Sequence, residues 1–389
     1  MTITDLEAIP IEVRFSPRSE DGGLGSYARQ DSSRSVQPRV LLRLETDDGV
    51  TGWGEMLPTM GSVDVVRSVF EKLIAPYVVG REVWEIEAFL QAIDRNSFTL
   101  AYYNANVQTF VAGVEMAMWD AWGKHLGEPV HRLLGGKYID EVPFAFALGV
   151  VDIEESRRIA RQAAENGFEV LKTKAGRDWR FDVERIRAMH DAVDGELEFR
   201  LDPNQGYSFE DAVRVGARLE DAEIYLQYLE QPVRVDSFGT LKRLRQRLTT
   251  PIAVNEDLYY PHNMLHLARE DAVDVGVVEL LSMGGILRLK RQVGVASALG
   301  ISLSHHSGRD LGIKTAAILQ TVATTPAIAL PPDTVYYAWA DAVIESPFEF
   351  DDGRLSVPDD PGLGVTVDTE AIERHRVEEY RSEPTADPE

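Results

Sequence analysis

Residues 170–179, VLKTKAGRDW, begin as an apolar strand and end as something else. Val170 and Leu171 suit a buried strand. Side-chain alternation then puts Lys172 and Lys174 on one side of it, two ammonium groups together where burial alone disfavours either. In a β/α barrel, catalytic side chains stand at the C-terminal ends of the strands and face the mouth, so an apolar strand with a charged end fits that architecture.

Working outward from this stretch, seven more strand-like runs appear: VPFAFALG (142–149), FRLDPNQ (199–205), YLEQPV (228–233), IAVNEDL (252–258), VGVVELL (275–281), ISLSHHS (301–307) and AIALPPDT (327–334). Charged, helical stretches such as IEESRRIARQAAENG (153–167) and RFDVERIRAMHDAVDG (180–195) separate most of them. The repeat predicts a β/α barrel. An open two-sided sheet is the alternative, although no Gly-rich phosphate fingerprint follows the first strand. Before the barrel, ITDLEAIPIEVRF (3–15) reads as a strand, residues 16–35 as a long Gly-rich loop, and PRVLLRLETDDGVTGWGE (38–55) as a hairpin about its DDG turn. VQTFVAGVEMAMWDAWGKHLG (107–127) has the clearest apolar stripe at helical spacing. Residues 1–137 therefore read as a small α+β domain and 138–335 as the barrel, and 336–389 are irregular and end in an acidic tail.

At 389 residues the chain exceeds what one core usually organises, in keeping with two domains. A formal charge of -24 repels nucleic acid and anionic membranes, so neither is an expected partner. No apolar run approaches a membrane span, no export signal is recognisable, and the absence of cysteine rules out disulfides and thiolate metal sites; a cytoplasmic protein is expected.

The strand ends carry Lys172 and Lys174, Asp202 and Asn204, Glu230, Glu256, Glu279, His305 and His306, and Asp333. Any one of them alone has a structural explanation as a helix cap, a bridge or a half-buried histidine. As a set they are harder to dismiss. Asp202, Glu230 and Glu256 end three successive strands, and convergent carboxylates repel one another unless a hard cation lies between them, for which Mg²⁺ is suited. Glu279 is expected to bond one ring nitrogen of His306, leaving the other free for proton transfer, and Lys172 to depress the pKa of Lys174 by charge repulsion. Such a site fits removal of the proton next to a carboxylate, with the enediolate stabilised by Mg²⁺ and lysine.

These residues also carry a resemblance to the enolase superfamily, specifically its mandelate racemase-like branch. GVTGWGE, VEMAMWDAWGKHLGEPVHRLLGG, LKTKAG, LDPNQGYS, LEQPV, VNEDL, SMGGI, SHHSG and VPDDPGLGV follow in family order over nearly the whole chain. The resemblance implies a modified TIM (β/α)-barrel with an N-terminal α+β capping domain completed by the C-terminal segment. It implies Lys174 as first base with Lys172 its partner, His306 as second base with Glu279 its acidic partner, and Asp202, Glu230 and Glu256 as Mg²⁺ ligands. Two positions depart. Glu279 stands where this branch usually has Asp and the muconate cycloisomerase-like branch a second lysine, which argues against cycloisomerase and dipeptide epimerase activity. The last-strand glutamate is replaced by DTVYYAW (333–339), similar to glucarate dehydratases, and this places Asp333 in the site; against that subgroup, the third ligand is Glu256 rather than Asn.

The expected activity is Mg²⁺-dependent dehydration of an acid sugar to a 2-keto-3-deoxy acid, with Asn204 and His305 on the substrate and Asp333 orienting His306 or a hydroxyl. Racemisation or epimerisation between Lys174 and His306 is the alternative, and a non-catalytic binding protein the third reading. The capping loops would read the substrate through Arg18, Tyr27, Arg29, Ser62, Tyr102 and Tyr103. A homo-oligomer is expected, as is common for such barrels.

With 64 acidic and 40 basic residues, the composition also matches a protein adapted to a high-salt cytoplasm. Its thermal midpoint is expected to climb steadily as KCl is raised to molar concentration; a flat response would contradict the adaptation.

Overall fold

A computed structural model describes residues 1–15, 36–58, 62–95 and 105–380. Strands β1 (Ile3–Arg14), β2 (Val36–Thr46) and β3 (Thr51–Met56) form an antiparallel sheet, with the expected tight turn between β2 and β3. Helices α1 (Val63–Val69), α2 (Ile86–Arg95), α3 (Ala105–Leu126) and α4 (Val130–Leu133) follow. The GWG of β3 explains how closely α3 approaches: a Cβ at Gly52 or Gly54 would run into the backbone carbonyls of Ala117 or Gly113.

The chain then enters the barrel. Strand β4 (Glu141–Pro143) precedes β5 (Ala145–Leu148), β6 (Val170–Lys174), β7 (Glu198–Asp202) and β8 (Tyr228–Glu230). Next come β9 (Ile252–Val254), β10 (Val275–Val278), β11 (Ser302–His305) and β12 (Asp333–Thr334). Among the described residues, eight of these form one sheet in the order β11-β10-β9-β8-β7-β6-β5-β12, paired in parallel throughout. A parallel bridge between Leu303 and Ile328, with Leu330 N donating to Leu303 O at 3.0 Å, brings the last run back onto β11 and nearly closes the barrel. The last run is shorter than its sequence suggests because Pro331 and Pro332 have no N–H to donate. The first run is split: β4 turns away to pair with β13 (Arg354–Ser356), and only β5 joins the barrel.

Helices α5 (Ile153–Glu165), α6 (Trp179–Ala192), α7 (Phe209–Glu220), α8 (Phe238–Arg245), α9 (Asn263–Glu270), α10 (Ile286–Ala298) and α11 (Gly312–Val322) alternate with the strands. Asp152, Asp178 and Ser208 cap α5, α6 and α7 through their side chains. Inside the barrel a small cluster of Tyr228, Ala253, Val275 and Val277, with Leu330, fills the floor. The C-terminal segment returns to the first domain: Val377 N donates to Pro10 O, Ile11 bridges Arg376, and α12 (Thr369–His375) packs on β1. No described helix is long and apolar enough to cross a membrane.

Helices α10 and α11 begin without a side-chain cap of their own. Glu115 of α3 supplies the first: it accepts from Ile286 N at 2.7 Å, Leu287 N at 2.8 Å and Trp119 Nε1 at 2.9 Å. Burial pushes its carboxyl up to about 7 in spite of these donors. A carboxyl raised in the folded state contributes stability that is complete below its unfolded pKa of about 4.3 and is lost as pH rises through the folded value. Urea unfolding free energies between about pH 5 and 7 should therefore fall more steeply with pH in the wild type than in Glu115→Gln. Parallel slopes would remove Glu115 as the cause.

Candidate active site

Alternation along β6 turns Lys172 and Lys174 inward together, and the parallel register sets Lys172 beside Arg200 and Lys174 beside Asp202. Lys172 Nζ donates to Glu230 Oε1 at 2.8 Å and to Asp333 Oδ2 at 2.6 Å, and lies 3.4 Å from Asp202. Lys174 Nζ donates to Asp202 Oδ2. On the far side His306 Nδ1 meets Asp333 Oδ2 at 3.1 Å, and Ser307 N donates to the other oxygen of Asp333. Lys172, Lys174, Asp202, Glu230, His306 and Asp333 thus share one buried network. Lys174 and His306 keep 10% and 19% of their side chains open, whereas Lys172 keeps 2%, so the two open groups are the ones that can meet a substrate.

Two expectations need correction. Glu279 does not pair with His306: its carboxylate accepts from Lys314 Nζ at 2.6 Å and from Ser282 N, and Asp333 takes the place beside His306. Burial would raise Glu279, but the Lys314 ammonium brings it down to about 2. His305 does not reach the mouth, because adjacent strand residues face opposite ways. It is fully buried near Glu279, Lys314 and Asp310, and burial drives its pKa down to about 4. Lys172, cast as the neighbour that tunes Lys174, is itself ringed by carboxylates. Burial would lower it, yet Asp333, Glu230 and Asp202 together hold it well above the ordinary lysine range.

The carboxylates carry the strain of this arrangement. Burial and the charge of Asp202 push Glu230 up to about 7, and the same two causes raise Glu256. Burial would raise Asp202 and Asp333 also, but the adjoining lysines hold both down. Asn204 Nδ2 and Gln205 Nε2 each donate to Glu256 Oε1 at 3.3 Å, which ties the third carboxylate to the loop after β7. Tyr27, Arg29 and Tyr103, with Arg18 and Tyr102, lie outside the described residues; Ser62 is half-buried just before α1.

No three His, Cys, Asp or Glu side chains among the described residues are gathered tightly enough to ligate one ion, because the lysine ammonium groups stand between the carboxylates. The donor chemistry nevertheless fits a divalent cation. Glu256 Oε2 and Asn204 Oδ1 are buried without a hydrogen-bond partner, and the raised carboxyls of Glu230 and Glu256 are the groups a cation would return to the charged state. Asp202, Glu230 and Glu256 would hold it.

Several supporting residues escaped the sequence reading. Arg185 of α6, fully buried, donates to Lys174 O at 3.0 Å, Gly149 O at 3.0 Å and Thr173 Oγ1 at 2.6 Å, fixing the end of β6 from behind. Gln231 donates to Asp257 Oδ2 at 2.7 Å and Gln205 N to Gln231 O at 2.8 Å, linking the loops after β7, β8 and β9. Asn204, Gln205 and Gln231 all take positive φ there. Lys314 had a visible signal: it is the one charged residue in the apolar run GIKTAAILQTV.

Comparison with known proteins supports the fold and shows the family. The model for the mandelate racemase / muconate lactonizing enzyme N-terminal domain matches residues 29–135, and that for the enolase C-terminal domain-like family matches residues 155–371. Muconate cycloisomerase 1 of Rhodococcus opacus is 29% identical over 88% of this chain and 91% of its own. D-xylonate dehydratase of Haloferax volcanii is 27% identical over 97% and 95%. The solved structure of an isomerase from Streptomyces coelicolor superposes with a TM-score of 0.83 at 30% identity, covering 96% of each chain. Other relatives include epimerases, racemases and further acid-sugar dehydratases.

A cation held by these carboxylates has a simple signature. Saturating Mg²⁺ should raise the thermal midpoint of the wild type, a ligand at 100 times its Kd contributing about 2.7 kcal/mol. Asp202→Ala should lose that response; an unchanged response would disprove the assignment.

Proposed function

We propose, for a chain that belongs to the mandelate racemase / muconate lactonizing enzyme family of the enolase superfamily, the Mg²⁺-dependent dehydration of an acid sugar. The observation that carries the proposal is the pair of open bases, Lys174 and His306, on either side of one buried carboxylate set. Relatives that span nearly the whole chain include the xylonate dehydratase and a probable glucarate dehydratase, at 97% and 96% of it.

Bound Mg²⁺ would supply positive charge to a substrate carboxylate as its neighbouring carbon loses a proton. Lys174 or His306 takes that proton, and Lys172, raised by its carboxylate neighbours, stays charged and stabilises the enediolate. Asp333 accepts from Nδ1 of His306, which fixes the ring and leaves Nε2 for the substrate. Protonated His306 then delivers its proton to the departing β-hydroxyl. Water leaves, and the enol tautomerises to the 2-keto-3-deoxy acid. Asn204, whose Nδ2 donates to Glu256 and whose side-chain oxygen is unpartnered, is the residue proposed to take a substrate hydroxyl.

The same two bases would support 1,1-proton transfer, and the isomerase structure keeps that second reading open. Deuterium entering C2 without loss of water separates the two. Incubation of a broad acid-sugar panel with enzyme and Mg²⁺ should give a semicarbazide-reactive keto acid. Lys174→Ala and His306→Asn should each slow its formation by roughly 10²–10⁴-fold. A panel without any keto-acid product would defeat the proposal.

A further inference from the structure

We infer that Glu55, on β3 of the first domain, is a positioning residue for His306 and acts through the segment 308–314 that it fastens. The inference rests on the proposed reading of His306 as a base. Glu55 is 1% exposed, and its carboxylate spans two amides of the barrel: Leu311 N donates to Oε1 at 2.7 Å and Lys314 N to Oε2 at 2.9 Å. Because Leu311 brings no side-chain cap, the start of α11 is capped from the other domain.

Two neighbours on β2 grip the same segment. Arg39 Nε donates to Arg309 O at 3.0 Å and its Nη2 to Gly308 O at 3.3 Å, and Arg309 Nη1 returns a bond to Gln37 Oε1 at 2.8 Å. Arg309 takes φ of 62°, a left-handed conformation that a non-glycine residue adopts only when its surroundings hold it there. Held from one side by these cap residues, the loop presents Ser307 N and His306 Nδ1 to Asp333 from the other.

Lys174 is supported differently. Arg185 braces its strand end from α6, and Asp202 accepts from its ammonium. Because Glu55 caps amides at 311 and 314 while Arg185 holds the end of β6, loosening Glu55 should release the His306 segment and leave the backbone of 170–176 in place, a selectivity that general destabilisation would not produce.

The test uses the intact protein and needs no substrate. Amide hydrogen exchange followed by mass spectrometry should show residues 306–316 exchanging roughly tenfold faster or more in Glu55→Gln, with 170–176 unchanged. The ring N–H proton of His306, identified in ¹⁵N-histidine-labelled protein by its absence in His306→Asn, should broaden or vanish in the same variant. Arg39→Gln, which leaves Glu55 intact, should give the same local pattern even if Glu55→Gln folds poorly. Unchanged exchange at 306–316, or equal loosening of 170–176, overturns the inference. Either result leaves the dehydratase reading standing, whereas a failed keto-acid assay leaves the coupling itself standing but removes the base that it was inferred to serve.

Discussion

Four carboxylates in one barrel mouth are the constraint on which the rest of this structure depends. Asp202, Glu230 and Asp333 are almost without solvent, and Glu256 adjoins them through Asn204. Buried like charges of this kind are tolerated only where positive charge is interposed. Lys172 and Lys174 supply it, which is why two of only eight lysines stand two residues apart on a buried strand. The compensation is incomplete: Glu230 and Glu256 remain raised, and Glu256 keeps a buried oxygen without a hydrogen-bond partner. That residual imbalance is the physical case for a cation.

A second layer keeps the charged groups where they are. Arg185 behind β6, and Gln231 with Asp257 beneath the loops after β7 to β9, are buried polar groups with partners that do not face the mouth. Glu55 and Glu115 extend the same logic across the two domains, each a buried glutamate of the first domain seated on uncapped amides of a barrel helix. The first domain is in this way joined to the barrel by directional bonds as well as by apolar contact, and one of those joints sits beside a candidate base.

Much of this was legible in the sequence, and the failures have a common cause. The barrel, the hairpin and the gathering of lysines and carboxylates at the strand ends follow from alternation, because these depend on local periodicity, whereas the direct lysine-carboxylate bonds do not. Glu279 and His305 were misread because their partners come from elsewhere. Lys314 arrives from α11 and captures Glu279, and strand alternation sends His305 toward that same pair while Asp333 stays with His306. Strand alternation alone could have separated His305 from His306. No spacing rule announces that a lysine 35 positions further along the chain will reach back to Glu279; its isolation in an apolar helix was the only clue.

A divalent ion held as proposed by Asp202, Glu230 and Glu256 would compete with the Lys174 ammonium for Asp202. The most direct measurement is a crystal structure of the protein grown with Mn²⁺, read by anomalous scattering. The account predicts one strong peak among Asp202, Glu230 and Glu256, with the Lys174 ammonium moved off Asp202. A peak elsewhere, or none, with the lysine-carboxylate bonds intact, would contradict it.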